Sequence, residues 1–247
     1  MGKIVALGGG VFVEENKWPA KMRPIHHEIL ALTGKQQPNV LYIPTAADDR
    51  EERIDSFQKH YSKFGCKVEV LRLINEHPSR SEIESKIASA DVIYVTGGRT
   101  YHMLALWKKY GVDVLLKQAY QQGKVMAGHS AGMICWFAYG CSDSFSKSKP
   151  FRVTSMGIIQ ALACPHFDSE PVRQPALQKI MKRTPNLVAI ALDEYAAIEI
   201  IDDSYRILTA DPKAEARRTY WQKGKYCIEP IKPSQEFQSL KKLLSKA

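Results

Sequence analysis

Short apolar segments alternate with amphipathic segments through the first half of the chain. Four of the apolar segments are rich in Val, Ile, Leu and Tyr: 3–7, 40–43, 68–71 and 92–95. They are apolar on both faces, which is typical of central strands in a parallel sheet covered by helices on both sides. Helical periodicity over 25–32, 54–64 and 81–88 fills the gaps, so the pattern predicts an α/β fold with crossover helices.

The rest of the chain, from residue 101 onward, has a less regular pattern. Helices are predicted over 101–106 and 112–121, and a strand over 124–127. Residues 140–155 are rich in Ser, with two Lys and one Gly, and are interpreted as a surface loop; the sequence leaves open whether this loop covers the site. The remaining predicted elements are a strand at 158–163, a helix at 175–181, a β-meander from 187–192, 196–201 and 205–208, and a terminal helix at 237–244.

Composition favours one globular unit. The chain has 247 residues, of which 45% are hydrophobic and 25% charged, close to the averages for packed domains. An α/β fold of this length often has a single core. We therefore predict one α/β hydrolytic domain over 1–247, with the C-terminal meander and the short terminal helix as part of it.

The charge and cysteine patterns indicate which partners and which cellular compartment to expect. The 35 basic residues exceed the 26 acidic ones by nine, but the two signs are interleaved, so we predict a solvated surface and no nucleic-acid partner. The five cysteines are scattered, with neither paired spacing nor zinc-ligand spacing, which favours reduced thiols and a cytoplasmic location. No segment has the roughly 20 apolar residues of a membrane-spanning helix, so no membrane association is expected.

The strongest chemical signal is the segment Gly128-His129-Ser130-Ala131-Gly132 after the strand at 124–127. This G-x-S-x-G pattern between a strand and a helix is the signature of a nucleophile elbow. The nucleophile occupies a strained turn there, and glycines two residues before and after it avoid collisions with neighbouring backbone. The sequence predicts that Ser130 is a nucleophile.

Two backbone amides are candidates for stabilising an oxyanion. The Ala131 N–H begins the helix after the nucleophile, where free N–H groups point outward. Gly97-Gly98 forms another tight turn after a parallel strand, and we predict Gly98 as the second donor. Both glycine turns also fit ordinary strand-to-helix connections.

A serine nucleophile needs a base, and His166 is the candidate among seven histidines because it follows an apolar strand toward the same sheet edge. An acid should orient that histidine. Asp193 and Glu194, after the apolar run 187–192, both fit, and Asp168 is a rival only two residues from His166.

These residues together resemble a known family. The segments that carry the resemblance are Thr96-Gly97-Gly98-Arg99-Thr100, Gly128-His129-Ser130-Ala131-Gly132, Pro165-His166-Phe167-Asp168 and Leu192-Asp193-Glu194, with 43–47 and 64–65 in addition. In this order and spacing they are similar to peptidase family S51, which contains aspartyl dipeptidase (peptidase E) and cyanophycinase. The resemblance spans roughly residues 1 to 210.

The resemblance implies a flavodoxin-like, three-layer fold related to class I glutamine amidotransferases, with a mostly parallel central sheet. It implies a Ser-His-Glu triad of Ser130, His166 and Glu194, with Gly98 and Ala131 as oxyanion donors and no metal or cofactor. Peptidase E relatives recognise an N-terminal aspartate through an arginine, and Arg173 stands in a comparable place. Arg99, where relatives have an amide, is a departure that leaves substrate choice open, and Arg99 and Thr100 are further substrate-binding candidates.

The expected function is hydrolysis of a short peptide, dipeptidase-like, with an acidic N-terminal residue as one option. A non-peptidase serine hydrolase or acyl transferase is the first alternative, because a fold and a triad do not fix the substrate. A catalytically silent binding protein on the same scaffold is the second. The expected partner is a small peptide substrate, and a homodimer is compatible with the sequence.

Overall fold

A computed structural model describes residues 2–10 and 18–246. The predicted domain limits of 1 and 247, and residues 11–17, lie outside the described residues. The strands are β1 (Lys3–Leu7), β2 (Asn39–Ile43), β3 (Lys67–Val70), β4 (Val92–Val95), β5 (Val125–His129), β6 (Phe137–Ser142), β7 (Phe151–Thr154), β8 (Ile159–Cys164), β9 (Ala189–Leu192), β10 (Ala196–Ile201), β11 (Ser204–Thr209), β12 (Ala216–Gln222), β13 (Lys225–Ile231) and β14 (Gln238–Ser239). The helices are α1 (Arg23–Ala31), α2 (Glu51–Tyr61), α3 (Arg80–Ser89), α4 (Thr100–Tyr110), α5 (Val112–Gln121), α6 (Ala131–Ile134), α7 (Arg173–Lys182) and α8 (Leu240–Leu244).

The first sheet has the strand order β14-β11-β10-β1-β5-β4-β2-β3. The strands β1, β5, β4, β2 and β3 are parallel to one another, whereas β10, β11 and β14 extend the β1 edge in antiparallel pairs. Because the five parallel strands point the same way, their carboxyl ends meet at one edge. The turns after β1, β4 and β5 lie at that edge, as a flavodoxin-like fold requires.

Helices cover both faces of the parallel sheet. Apolar side chains of α1 and α2 form one buried cluster with one face of the strands, and those of α3, α4 and α5 form another with the opposite face. Each strand residue therefore meets protein on either side, which explains the continuous apolar runs in the sequence. The predicted three-layer α/β fold with a mostly parallel central sheet is confirmed.

The second sheet has the order β13-β12-β9-β8-β6-β7. One of its faces joins the cluster of α3, α4 and α5, and α7 covers the other face. The strands β6, β8 and β9 are parallel, so the segment after β8 and the segment after β9 meet at one edge. Within the described parts of the chain, no helix is long and apolar enough to cross a membrane.

Two sequence-based predictions about the second half are wrong, and one pair of strands is missed. The segment 140–155 is not one loop, because β6 and β7 pair within it and only 143–150 connects them. The runs at 187–192 and 196–201 do not form a meander, because β9 pairs with β8 and β12 whereas β10 pairs with β1 and β11. The missed pair is the hairpin of β12 and β13, in which Arg, Lys and Glu residues interrupt the apolar alternation.

Candidate active site

Ser130 lies at the sharp turn between β5 and α6. Its backbone has φ 56° and ψ −111°, a conformation that L-residues adopt rarely and that surrounding packing must enforce. A Cβ added to Gly128 would lie 2.6 Å from the Val95 carbonyl oxygen, and one added to Gly132 would lie 2.1 Å from it. Both glycines are therefore required by the close approach of β4 to the elbow.

His166 lies beside the Ser130 hydroxyl. The Nε2 atom of His166 is 2.8 Å from Ser130 Oγ, and its Nδ1 atom is 2.5 Å from Glu194 Oε1. An ionised carboxylate only accepts hydrogen bonds, so Nδ1 carries the proton and the Nε2 lone pair faces the serine O–H. This is the geometry in which an imidazole removes a hydroxyl proton.

Several donors hold the Glu194 carboxylate. Besides His166, the Ser169 hydroxyl donates to Oε1 at 2.9 Å, and the Gly10 amide also donates to the carboxylate. Burial alone raises the pKa of Glu194, but the hydrogen bond and charge of His166, with these other donors, outweigh it and hold the pKa below its usual range. Glu194 is thus an anion at neutral pH.

The two rival acids have other partners. Asp193 is buried, with one oxygen accepting from Arg217 Nη1 at 2.7 Å and the other from the Glu215 amide at 3.0 Å. Asp168 Oδ1 accepts from the Glu194 amide at 2.9 Å. Of the three acids, only Glu194 contacts the imidazole, and Asp168 fixes the backbone that carries it.

Sequence reasoning missed Gly9 and Gly10, which follow β1. A Cβ on Gly9 would lie 2.2 Å from Glu194 Oε2 and 2.7 Å from His166 Cε1, so the main chain here packs directly against the histidine and acid. The signal was present as three consecutive glycines after the first parallel strand, at the edge where functional loops gather.

The Gly97–Gly98 turn lies against the elbow, where a Cβ on Gly97 would be 2.9 Å from Ser130 Cβ. A Cβ on Gly98, whose φ is 142°, would lie 2.0 Å from the Ala46 carbonyl oxygen, so only glycine fits. Ala131 is the first residue of α6, and its N–H has no acceptor within that helix. These are the two amides that the sequence proposed as oxyanion donors.

His129 holds this turn, which sequence reasoning did not anticipate. The Gly97 amide donates to His129 Nε2 at 3.0 Å, so the ring proton resides on Nδ1, 3.2 Å from the Tyr94 hydroxyl. Burial, with the charges of His166 and Arg53, lowers the pKa of His129 to about 3. The ring is neutral at physiological pH and remains an acceptor for the turn.

The three predicted substrate-binding residues have different surroundings. Arg99 is half-exposed at the rim and pairs with Asp48. Arg173 is 2% exposed and bound to acids of the chain itself. Thr100 is also 2% exposed and lines neither of the pockets next to Ser130, so the prediction that it contacts substrate is not supported.

Two pockets meet at Ser130 and His166. One, of about 370 Å³, extends toward the segment 143–147, Glu170 and Arg173. The other, of about 240 Å³, extends toward Arg50, Arg53 and His129. Within residues 2–10 and 18–246, no group of three or more His, Cys, Asp or Glu side chains is arranged to hold a metal ion. The arrangement suits hydrolysis by a serine nucleophile with a substrate extending to both sides.

Comparison with known proteins decides the family. The model of peptidase family S51 matches residues 4–208. The chain belongs to this family. It is 34% identical to the uncharacterized peptidase YgaJ of Bacillus subtilis (strain 168) over 219 residues, covering 88% of this chain and 92% of the relative. The S51 chain described here is therefore a serine-type peptidase.

Solved structures support the fold of this S51 peptidase. A peptidase from an acI-B1 actinobacterium superposes with a TM-score of 0.71 at 18% identity, covering 97% of each chain. A protein of Listeria monocytogenes EGD-e that is provisionally assigned as a peptidase E superposes with a TM-score of 0.64 at 21% identity, covering 85% of this chain and 98% of that one. The resemblance found in the sequence is confirmed at the level of family and fold.

Proposed function

We propose that this S51 peptidase hydrolyses the first peptide bond of short peptides through an acyl-enzyme on Ser130. The observation that carries the proposal is the continuous hydrogen-bonded series from Glu194 through His166 to Ser130 Oγ, which lies where two pockets meet. Ligand sites commonly span about 300–1,000 Å³, and the two pockets, of about 370 and 240 Å³, lie near the lower end of that range, which favours a short substrate over a folded protein.

In the acylation step, Ser130 Oγ attacks the carbonyl carbon while His166 Nε2 takes its proton. The Gly98 and Ala131 amides donate to the resulting oxyanion, and Glu194 stabilises the imidazolium. The oxyanion then collapses, His166 gives its proton to the leaving amine, and the amine departs. Water, deprotonated by the same imidazole, attacks the acyl-enzyme and releases the acid.

We further propose that the whole chain acts as one unit in the cytoplasm. A single buried cluster takes side chains from both sheets and from α8, which supports one core. All five cysteines are free thiols, which supports a reducing compartment. No partner other than the peptide enters the mechanism.

The test is a panel of dipeptides and tripeptides with free N-termini, together with simple p-nitrophenyl esters, assayed with wild type and Ser130→Ala. We expect the wild type to cleave peptides and Ser130→Ala to cleave none. Ester cleavage without peptide cleavage would favour the non-peptidase hydrolase or acyl transferase. Peptide cleavage that persists in Ser130→Ala would overturn the proposal.

A further inference from the structure

The larger pocket beside Ser130 has a buried arginine in its wall. All three nitrogens of the Arg173 guanidinium have partners within the chain: Nε donates to Glu170 Oε2 at 2.5 Å, Nη1 to the Cys141 carbonyl oxygen at 2.7 Å, and Nη2 lies 3.3 Å from Asp143 Oδ1. The side chain is 2% exposed. Its fixed position therefore depends on these contacts.

The two acids lie closer to the pocket than the cation does. The side chains of Asp143 and Glu170 are 25% and 35% exposed, and both line the pocket together with Ser130 and His166. Two carboxylates around one guanidinium leave a net charge of −1 at this wall. A substrate carboxylate entering here meets two like charges before it reaches the arginine, and like charges placed together at a binding surface disfavour binding.

The other cations that line the pocket do not offset the negative charge at its buried wall. Arg99 is paired with Asp48 at the rim. Lys147 is exposed on the segment 143–147, so water and salt screen its charge. Neither of them offers a buried, fixed cation comparable with Arg173.

We propose that Asp143 and Glu170 determine the specificity of this pocket by neutralising Arg173, so that the residue bound beside Ser130 is neutral or basic rather than acidic. The inference rests on the proposed function, because it assumes that the substrate's N-terminal residue occupies this pocket. In this chain Arg173 already has two carboxylate partners, Asp143 and Glu170.

The first test compares dipeptides that differ only in charge at the N-terminal residue. Asp-Ala and Asn-Ala are nearly isosteric, and Lys-Ala adds a cation. For wild type we expect kcat/KM for Asp-Ala to be at least about tenfold below that for Asn-Ala, with Lys-Ala no worse than Asn-Ala. Equal or faster cleavage of Asp-Ala would overturn the inference.

The second test removes the charges of the two acids, so that a substrate carboxylate can interact with Arg173. Glu170→Gln and Asp143→Asn keep the shape of each side chain and remove its charge. We expect each to raise the Asp-Ala to Asn-Ala ratio at least about fivefold, and the double variant to raise it further. Because the ratio is measured within one preparation, partial unfolding of a variant does not change it. Glu84→Gln, which removes one charge from a surface pair with Arg80, is the matched control and should leave the ratio unchanged.

A binding measurement separates this inference from the proposed function. The affinities of the same dipeptides for the Ser130→Ala protein and its Glu170→Gln derivative are compared by calorimetry, which needs no turnover. If wild type cleaves nothing but Glu170→Gln selectively strengthens Asp-Ala binding, the proposed function fails and the specificity inference stands. If cleavage depends on Ser130 but the ratios do not respond to either acid, only the specificity inference fails.

Discussion

The two sheets contribute to the site in different ways. The eight-stranded sheet supplies Ser130 and the Gly97–Gly98 turn, each directly after a parallel strand and each with glycines that its neighbours require. The six-stranded sheet supplies His166 at the end of β8, and Glu194 lies in the short connection from β9 to β10, where the chain passes from the second sheet to the first. The nucleophile half is thus built from tight turns whose glycines pack against the backbone of neighbouring segments, whereas the histidine half is held by side-chain hydrogen bonds between the two sheets.

Because of this difference, substitutions in the two halves should affect activity in different ways. The elbow is fixed by steric contact of Gly128 and Gly132 with the backbone of the neighbouring strand β4, so changes there act on the chemistry at once. The imidazole is fixed by a chain of hydrogen bonds from Glu194 to the segment after β8 and to the main chain after β1, so its orientation depends on both sheets. Variants in the two halves can be ranked on this basis.

The largest effect is expected for Ser130→Ala and His166→Ala. Each should lower kcat/KM for a cleaved peptide by about 10³-fold or more, and the double variant should lose little beyond either single one, because the two side chains act as a unit. Steady-state kinetics measures this, and far-ultraviolet circular dichroism checks the fold. Additive losses would mean that Ser130 and His166 act independently, which would contradict their proposed joint role.

The next largest effect distinguishes the neighbours Asp193 and Glu194. Glu194→Gln should lower turnover less than Ser130→Ala does, with a loss roughly 10- to 100-fold smaller. The reason is that the imidazole keeps its place but loses the charge that stabilises its protonated form. Asp193→Asn should lower the free energy of unfolding by about 1–3 kcal/mol through its lost ion pair with Arg217, with a smaller effect on turnover.

Kinetics and chemical denaturation on the same two proteins make this measurement. If Asp193→Asn is the variant that loses more turnover, the assignment of the orienting acid is wrong while the family and the fold are unaffected.

A smaller effect is expected at His129, which belongs to the nucleophile half. His129→Leu removes the acceptor for the Gly97 amide and should lower kcat about tenfold, with a smaller change in KM. Without that hydrogen bond the turn holds the neighbouring Gly98 amide less firmly toward the oxyanion. His129→Gln retains an acceptor and should recover part of the loss. Equal losses in both variants would show that the hydrogen bond to Gly97 is not what matters.

The smallest effect is a pH dependence of stability that arises from His60 in α2, which packs on one face of the parallel sheet. Burial, with the charges of Lys63 and Arg23, lowers the pKa of His60 to about 4, below the ordinary histidine value of 6.5. The unfolded chain therefore binds more protons than the folded one between these values, so the stabilisation is present above pH 6.5 and is lost as the pH falls toward 4.

Thermal unfolding between pH 7 and pH 4.5 tests this. The dependence on pH should be weaker in His60→Phe, which keeps the stacking against Trp18 and cannot titrate. The control His27→Gln, at an exposed position, should unfold with the wild-type pH profile. An identical profile in His60→Phe would mean that other groups produce the dependence.

The parts of the molecule that the sequence predicts are those with local causes. Val92–Val95 and the helix Val112–Gln121 have the bounds expected from their apolar patterns, and the Gly128 to Gly132 turn lies where its motif requires. His166 was selected because it follows an apolar strand, and the structure does bring it to Ser130. Local periodicity and turn chemistry suffice for these features.

The rest depends on contacts that no local pattern encodes. That β9 and β10 enter different sheets is decided by their pairing with β8 and β1, far away in the sequence. Glu194 contacts His166, whereas its neighbour Asp193 pairs with Arg217, 24 residues further along the chain. The second carboxylate beside Arg173 likewise comes from Asp143, 30 residues earlier in the chain.

The most direct test of the account is to ask whether Ser130 is an activated nucleophile. Wild type, Ser130→Ala and His166→Ala are incubated with a serine-reactive fluorophosphonate, and the adducts are located by peptide mass spectrometry. We expect one adduct on Ser130 in wild type, none in Ser130→Ala and slow labelling in His166→Ala. No adduct in folded wild type, or an adduct at another serine that persists in Ser130→Ala, would contradict it.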